Sequence, residues 1–325
     1  MIKFDISLSE LSNVKGIGKK TIDRVKKYLD VKEYIRNKRD TDLKVDKLET
    51  NVIHCQDNIK GMRELIPDNT IDLTVTSPPY DDLREYEGEW DFNFKELAQE
   101  LYRATKKGGV VVWVVGDQTI NGSETGNSFR QALYFKEIGF NLHDTMIYAK
   151  ENYLPLNDKR YEPQFEYMFV FTIGQPKTFN PIKIESKYGG IQCGKFTQRN
   201  KKGELPDYEI LKVKDKKTKP NIWHYQVGYM KSSKDKIAYE HPATFPEKLA
   251  KDHIKSWSNE GDVVLDPFMG SGTTAKMAEI LDRKWIGFEI SQKYVNLAYK
   301  RVGNLDKKYY DKLPDDEKPK QTQMF

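Results

Sequence analysis

At 325 residues, with 38% hydrophobic residues and a net charge of +5, the chain can form one large α/β domain with an insertion or a small appendage. It has no apolar run of membrane-spanning length and no signal-peptide pattern over residues 1–10, so no membrane contact and a cytoplasmic location are expected; two cysteines and five histidines without ligand spacing exclude a disulfide framework, and no metal is expected. The charge is uneven: residues 1–40 carry 11 Lys+Arg against 6 Asp+Glu and residues 175–236 carry 15 against 6, an acidic body with two basic segments that points to a polyanionic partner.

Residues 8–13 and 21–29 read as short helices joined by Val14-Lys15-Gly16-Ile17-Gly18-Lys19-Lys20. The glycines permit a tight turn whose N–H groups point outward beside Lys15, Lys19 and Lys20. The segment resembles a helix-hairpin-helix, which implies a sequence-independent grip on nucleic-acid backbones; a purely structural helical hairpin is the alternative. Residues 37–50 are a charged connector.

Asn51-Val52-Ile53-His54-Cys55-Gln56-Asp57 reads as a strand ending in an acid, residues 59–66 as an amphipathic helix, and residues 71–76 as a buried strand. Ser77-Pro78-Pro79-Tyr80 follows at the carboxyl end, the side on which open α/β sheets bind ligands. The prolines fix their own φ and hold Ser77 extended. The Ser77 hydroxyl and the Pro78 carbonyl can then each accept a hydrogen from one –NH2 group while Tyr80 stacks on a planar ring. Drawing on both amine hydrogens weakens conjugation of the nitrogen lone pair, which frees it to attack an electrophilic methyl. A strand-terminating Pro-Pro turn is the plainer alternative.

Residues 108–117 read as a helix stop followed by a buried strand, 129–137 as a helix, and 140–149 and 166–172 as strands that can pair as a hairpin at the sheet edge. Residues 175–236 lose this periodicity and interleave their basic excess with Phe179, Tyr188, Phe196, Trp223, Tyr225 and Tyr229. His241-Pro242-Ala243-Thr244-Phe245-Pro246-Glu247-Lys248-Leu249 caps a helix that leads into the next strand.

That strand and its turn are Val263-Val264-Leu265-Asp266-Pro267-Phe268-Met269-Gly270-Ser271-Gly272-Thr273-Thr274, with a helix expected over 273–281. The glycines allow close backbone approach to a ligand, and free N–H groups at the helix start favour an anionic group. Lys284-Trp285-Ile286-Gly287-Phe288-Glu289 is a second short strand, whose acid lies 23 positions beyond Asp266. An acid about 20 residues after a glycine turn binds ribose hydroxyls in doubly wound folds, so the two acids read as one adenosine site.

Thr76-Ser77-Pro78-Pro79-Tyr80 together with residues 266–274 resembles the S-adenosylmethionine-dependent methyltransferases that modify exocyclic amines of DNA bases, in the β-group order with the catalytic motif first. The match covers roughly residues 51–174 and 237–301. It implies an α/β, Rossmann-like methyltransferase fold: a mostly parallel seven-stranded sheet with one reversed edge strand, a small inserted recognition region and an N-terminal helical hairpin. It implies S-adenosyl-L-methionine as cofactor and DNA as partner. Under this resemblance Ser77, Pro78, Pro79 and Tyr80 are catalytic. Glu289 takes the ribose, Asp57 the adenine end, and Asp266, Phe268, Gly270, Gly272, Thr273 and Thr274 the methionine part, with Phe245 covering it. Tyr161 either lines the target-base pocket or packs on an edge strand. Lys195, Arg199, Lys201 and Lys202 of the inserted region are candidates for phosphate contacts.

The expected division is 1–40 hairpin, 41–174 catalytic half, 175–236 recognition region, 237–301 cofactor half and 302–325 polar tail. The tail ends in Gln321-Thr322-Gln323-Met324-Phe325, which resembles peptides that dock on bacterial sliding clamps; an unstructured tail is the alternative. The activity expected is site-specific methylation of the N4 amine of cytosine in a flipped-out base, in restriction-modification beside a cognate endonuclease or in phage or host DNA modification. Serine rather than aspartate at the first motif position leans toward cytosine, with the N6 amine of adenine as the alternative. A nicotinamide-dependent oxidoreductase, a non-catalytic nucleic-acid-binding module and an RNA substrate also stay open.

Overall fold

The computed structural model describes residues 48–79, 93–153, 160–191, 203–204 and 212–303. They belong to two compact units, one containing residues up to 179 together with 221–303 and a smaller one from residues 180–220. In chain order the larger unit begins β1 (Val52–Cys55), α1 (Asn58–Leu65), β2 (Ile71–Thr76), α2 (Phe94–Ala104) and β3 (Thr105–Val115). A small ribbon of β4 (Thr119–Ile120) and β5 (Ser123–Glu124) precedes α3 (Asn127–Glu137), β6 (Asn141–Lys150) and β7 (Phe165–Thr172). The smaller unit holds an antiparallel ribbon, β8 (Lys183–Glu185) with β9 (Lys216–Thr218). The larger unit resumes with β10 (Ile222–Tyr225), a 3-10 turn (Lys236–Glu240), α4 (Glu247–Trp257), β11 (Val263–Asp266), α5 (Thr273–Ile280), β12 (Lys284–Glu289) and α6 (Gln292–Gly303).

The main sheet has the order β1-β12-β11-β2-β3-β7-β6-β10, and every neighbouring pair is parallel except the two made by β7. Seven strands with a reversed one at the edge were expected; the sheet has eight, and the reversed strand β7 lies inside it, between β3 and β6. The eighth strand comes from the basic stretch: β10 pairs with β6 and turns Trp223 and Tyr225 inward, too short an alternation to stand out among lysines. β2 and β11 are buried at every residue, as parallel strands covered on both faces must be.

The chain order turns at the centre of the sheet. From β2 it steps one way to β3, and from β11 the other way to β12, so the carboxyl ends of β2 and β11 form the switch point where doubly wound sheets hold ligands. Helices cover the faces through apolar stripes such as Leu97, Ala98, Leu101 and Ala104 of α2. On that layer Arg103 donates to the Met62 and Ile66 carbonyls at 2.7 Å each, which closes the carboxyl end of α1. It also pairs with buried Glu100 at 2.7 Å and with Asp68 at 2.8 Å. Arg103→Met removes the arginine donor from the Ile66 carbonyl and from part of the Glu100 charge, and leaves the Met62 carbonyl with the Ile66 N–H alone. A loss of about 3 kcal/mol in unfolding free energy is expected by urea denaturation, and a change below about 1 kcal/mol would show that the pairing does not hold α1 in place.

Candidate active site

The two sequence motifs meet at the switch point. The Thr76 hydroxyl donates to Asp266 Oδ1 at 2.7 Å, with both residues buried, across 190 positions of chain. The Thr274 hydroxyl donates to the Val75 carbonyl at 3.1 Å, and the Asn58 amide to the Pro267 carbonyl at 3.1 Å. Ser77-Pro78-Pro79 therefore leaves β2 directly beside the start of the glycine turn, with Pro78 buried and Ser77 and Pro79 half-buried. Tyr80 lies outside the described residues, as do Lys15, Lys19, Lys20, Lys195, Arg199, Lys201, Lys202 and residues 321–325.

Two positions of the turn require glycine. Gly270 has φ +49° and Gly272 φ +80°, in the left-handed region that side chains disfavour. A Cβ would also stand 3.0 Å from His241 Nε2 at Gly270 and 2.6 Å from the Ala298 Cβ at Gly272. The N–H groups here are committed inward. Gly270 donates to Glu289 Oε2 at 2.8 Å, Phe268 to Asp266 Oδ1 at 3.0 Å, and Gly272 to the Met269 carbonyl at 2.8 Å. The expectation of free donors waiting for an anion is thus corrected for these three, because the turn's own carboxylates and carbonyl accept from them.

The acids occupy neighbouring strand tips. Cys55 of β1 is in register with Glu289 of β12, and Leu265, next to Asp266 on β11, is in register with Ile286 of β12. Asp57, exposed just past β1, accepts from the Lys60 N–H at 2.8 Å and so caps α1. Glu289 also accepts from the Ser291 N–H at 3.0 Å. Burial raises the Glu289 carboxyl above its ordinary value, held back by the N–H groups of Ser291, Gly270 and Ile290. Burial pushes Asp266 up to about 6, against hydrogen bonds from Thr76, Thr274 and Phe268, with the Glu289 charge adding to the rise.

Phe245 is half-buried just ahead of α4, and Thr273 and Thr274 are buried at the start of α5. Tyr161 is 100% exposed, so its proposed edge-strand packing does not occur. The residues that spacing missed are Thr76, whose hydroxyl at the end of an apolar strand was the available signal, and His241. The latter is buried against the glycine turn, its ring edge-on to Tyr294 at 4.4 Å and its Nδ1 within 2.9 Å of the Ala243 carbonyl.

At the carboxyl ends of β6 and β10, on the same side of the sheet as Ser77, lies a cleft of about 610 Å³ lined by Lys150, Asn152, Tyr153, Glu162, Tyr229 and Lys231. The Asn152 amide stiffens its wall, donating to the Val227 carbonyl at 2.7 Å and accepting from its N–H at 2.8 Å. Among the described residues no group of His, Cys, Asp and Glu could hold a metal, and no helix is long and apolar enough to cross a membrane.

Residues 71–300 match the DNA methylase family N6_N4_Mtase. The chain is 58% identical over 246 residues, 75% of its own length and 92% of the relative's, to the orphan methyltransferase M.BamHII of Bacillus amyloliquefaciens. It is 29% identical over 265 residues, 78% of its length and 69% of the relative's, to the type II methyltransferase M.BglII of Bacillus subtilis. Among solved structures it is similar to the PvuII DNA methyltransferase (cytosine-N4-specific), with TM-score 0.56 and 21% identity over 82% of this chain and 91% of that one.

The raised Asp266 carboxyl sets a pH dependence. Its folded value lies above the ordinary 3.8, so its contribution to stability is fully present below that pH and is lost as pH rises through about 6. Asp266→Asn is neutral throughout. From about pH 4 to 8 the wild-type chain is expected to lose on the order of 3 kcal/mol of unfolding free energy relative to this variant. A difference that does not change with pH, measured in urea, would mean that Asp266 titrates as an ordinary surface carboxylate.

Proposed function

The chain belongs to the N6_N4_Mtase family of DNA methylases, and from that premise we propose that it transfers the methyl group of S-adenosylmethionine to the exocyclic N4 amine of cytosine in DNA. The observation that carries the reading is the Thr76–Asp266 hydrogen bond, which seats an amine-gripping tetrapeptide beside a glycine turn at the switch point of the sheet. The bound cofactor supplies an electrophilic methyl on a sulfonium. The chain's residues fit it: Gly270 and Gly272, both at positive φ, close the turn beside the strand tips, and a half-buried carboxylate at the tip of β12 suits a ribose diol.

Glu289 accepts from the ribose hydroxyls, Asp57 faces the adenine end, and the turn over residues 268–274 carries the methionine part with Phe245 over it. Asp266 holds the turn to β2 and acts as a positioning residue. The target base leaves the duplex, where its amine is otherwise paired, and stacks on Tyr80. The Ser77 hydroxyl and the Pro78 carbonyl each accept one amine hydrogen, which localises the nitrogen lone pair and aims it. Catalysis is then orientation within a rigid pocket, without a covalent enzyme intermediate. Lysines of residues 1–40 and 175–236, with the tyrosine-lined cleft, meet the DNA backbone and neighbouring bases.

The serine that opens the tetrapeptide favours the cytosine amine; the adenine N6 amine, which offers the same two hydrogens, is the second reading. The type II name of the Bacillus subtilis relative supports a restriction-modification role, and the orphan name of the Bacillus amyloliquefaciens relative supports one without a companion nuclease. Residues 321–325 extend the proposal to sliding-clamp docking. An oxidoreductase is disfavoured because it accounts neither for the Ser77 tetrapeptide at the switch point nor for the basic segment over residues 175–236.

Incubation with methyl-labelled S-adenosylmethionine and genomic DNA, followed by digestion to nucleosides and mass analysis, is expected to give N4-methylcytosine. N6-methyladenine would replace the base assignment, and label in neither base would overturn the reading. Ser77→Ala should lower the turnover number by about 100-fold or more with cofactor affinity within about twofold. Turnover near the wild-type value would remove Ser77 from the proposed chemistry.

A further inference from the structure

Nothing in the amino-acid pattern around the glycine turn explains what holds it from behind. In front, Glu289 grips the Gly270 N–H; behind, Arg301 of α6, 0% exposed, donates through Nη1 to the Ser271 carbonyl at 2.6 Å, to Ser271 Oγ at 2.9 Å and to Thr273 Oγ1 at 3.2 Å. Its Nη2 donates to Glu247 Oε1 at 2.7 Å and to Ser233 Oγ at 3.4 Å, and its Nε to Asp235 Oδ2 at 3.3 Å. Lys276 of α5, 1% exposed, pairs with the same two acids, with Glu247 at 3.1 Å and with Asp235. Ser233 Oγ in turn donates to Glu247 Oε1 at 2.8 Å.

Two cations and two anions are thus packed beneath the turn, and only Asp235, with a side chain 27% exposed, reaches solvent to any extent. Burying four charges is costly, and apolar side chains of similar volume commonly serve stability as well or better. What apolar side chains cannot do is fix a peptide plane. A guanidinium carries five donors in a rigid fork, enough to orient the Ser271 carbonyl while holding the start of α4 and residues 233–235.

We propose that Asp235, Glu247, Lys276 and Arg301 form a clamp that positions the cofactor turn, and that Asp235 makes the segment leaving the recognition region part of the cofactor site. The inference rests on the methyltransferase reading. The segment is continuous with one wall of the tyrosine-lined cleft: Ser232 N–H donates to the Gly228 carbonyl at 3.1 Å, Ser232 Oγ accepts from the Gly228 N–H at 3.1 Å, and the Ser232 carbonyl accepts from the Glu247 N–H at 2.9 Å. Asp235 is the member best suited to substitution, because it lies at the margin of the buried cluster and asparagine matches its shape. Without the negative charge Lys276 and Arg301 share one acid, and the turn loses its fixed plane.

The test compares the wild-type chain with Asp235→Asn, Asp235→Glu and Arg301→Lys in equilibrium binding of S-adenosylmethionine and of S-adenosylhomocysteine, with the melting temperature of the ligand-free proteins alongside. Asp235→Asn and Arg301→Lys are expected to weaken both ligands about tenfold. Asp235→Glu, which keeps the charge, should return affinity to within about threefold of wild type, a rescue that a merely structural role would not give. Unchanged affinity with lowered melting temperature would make the cluster structural only and overturn the clamp. If the wild-type chain binds neither ligand, the methyltransferase reading falls instead, so the two failures are told apart.

Discussion

A threonine hydroxyl bonded to a buried aspartate carries more of this structure than its size suggests. β2 and β11 are buried at every position on both faces, so burial does little to choose between one register and another. Polar groups bracket the pair. At one end the Asp72 carboxylate accepts from the Val263 N–H at 3.0 Å and pairs with Lys106 at 2.6 Å; at the other, Thr76 reaches Asp266. A slip of one residue would leave a buried carboxylate without its donor at each end, a penalty of several kcal/mol that the apolar contacts could not offset. The register so imposed places Ser77 where the proposed chemistry needs it.

Rigidity then passes outward from that bond in both directions along the chain. After Thr76 come Ser77 and two prolines with fixed φ, so little freedom returns before Tyr80. After Asp266 the same carboxylate accepts from the Phe268 N–H, and Asn58 draws the Pro267 carbonyl toward α1. The cost is a buried carboxylate whose affinity for protons rises to about 6, a local instability set against geometric precision. Sites that work by orientation commonly accept such a cost, since small displacements of reacting atoms lose more than the strain itself.

The legible and illegible parts of the sequence divide by the range of the interaction. β2 and β12 could be bounded to the residue because each has a short buried stretch, Leu73 to Val75 in one and Trp285 to Phe288 in the other, closed by polar groups. The glycine turn and its spaced acid were visible because they are local backbone requirements. The clamp was not: Lys276 follows two threonines on α5 and Arg301 sits near a helix end after Lys300, contexts that normally mean solvent. Their partners at Asp235 and Glu247 lie 41 and 54 positions away. The same holds for β10, whose four residues belong to the main sheet through pairing with β6 rather than through their own pattern. The edge-strand packing weighed for Tyr161 failed for the opposite reason, since it came from a motif-like neighbourhood and the side chain faces outward.

The glycine turn shows how one sequence signal can serve two unlike ligands. A turn that cradles phosphate presents a row of backbone donors to the outside, with glycine there to let the anion approach. Here three of those donors point inward, to Glu289, Asp266 and the Met269 carbonyl, and Arg301 grips the Ser271 carbonyl from the opposite side. Glycine is required at Gly270 and Gly272 because His241 and Ala298 press against it from within the protein, not because an anion arrives from without. Over Phe268 to Gly272 the turn is a stiff floor, and donors for an anionic group fall to the helix start that follows it. It suits a ligand that brings a cation and a hydroxyl-bearing ring to the carboxylates at the strand tips and a carboxylate of its own to the start of α5.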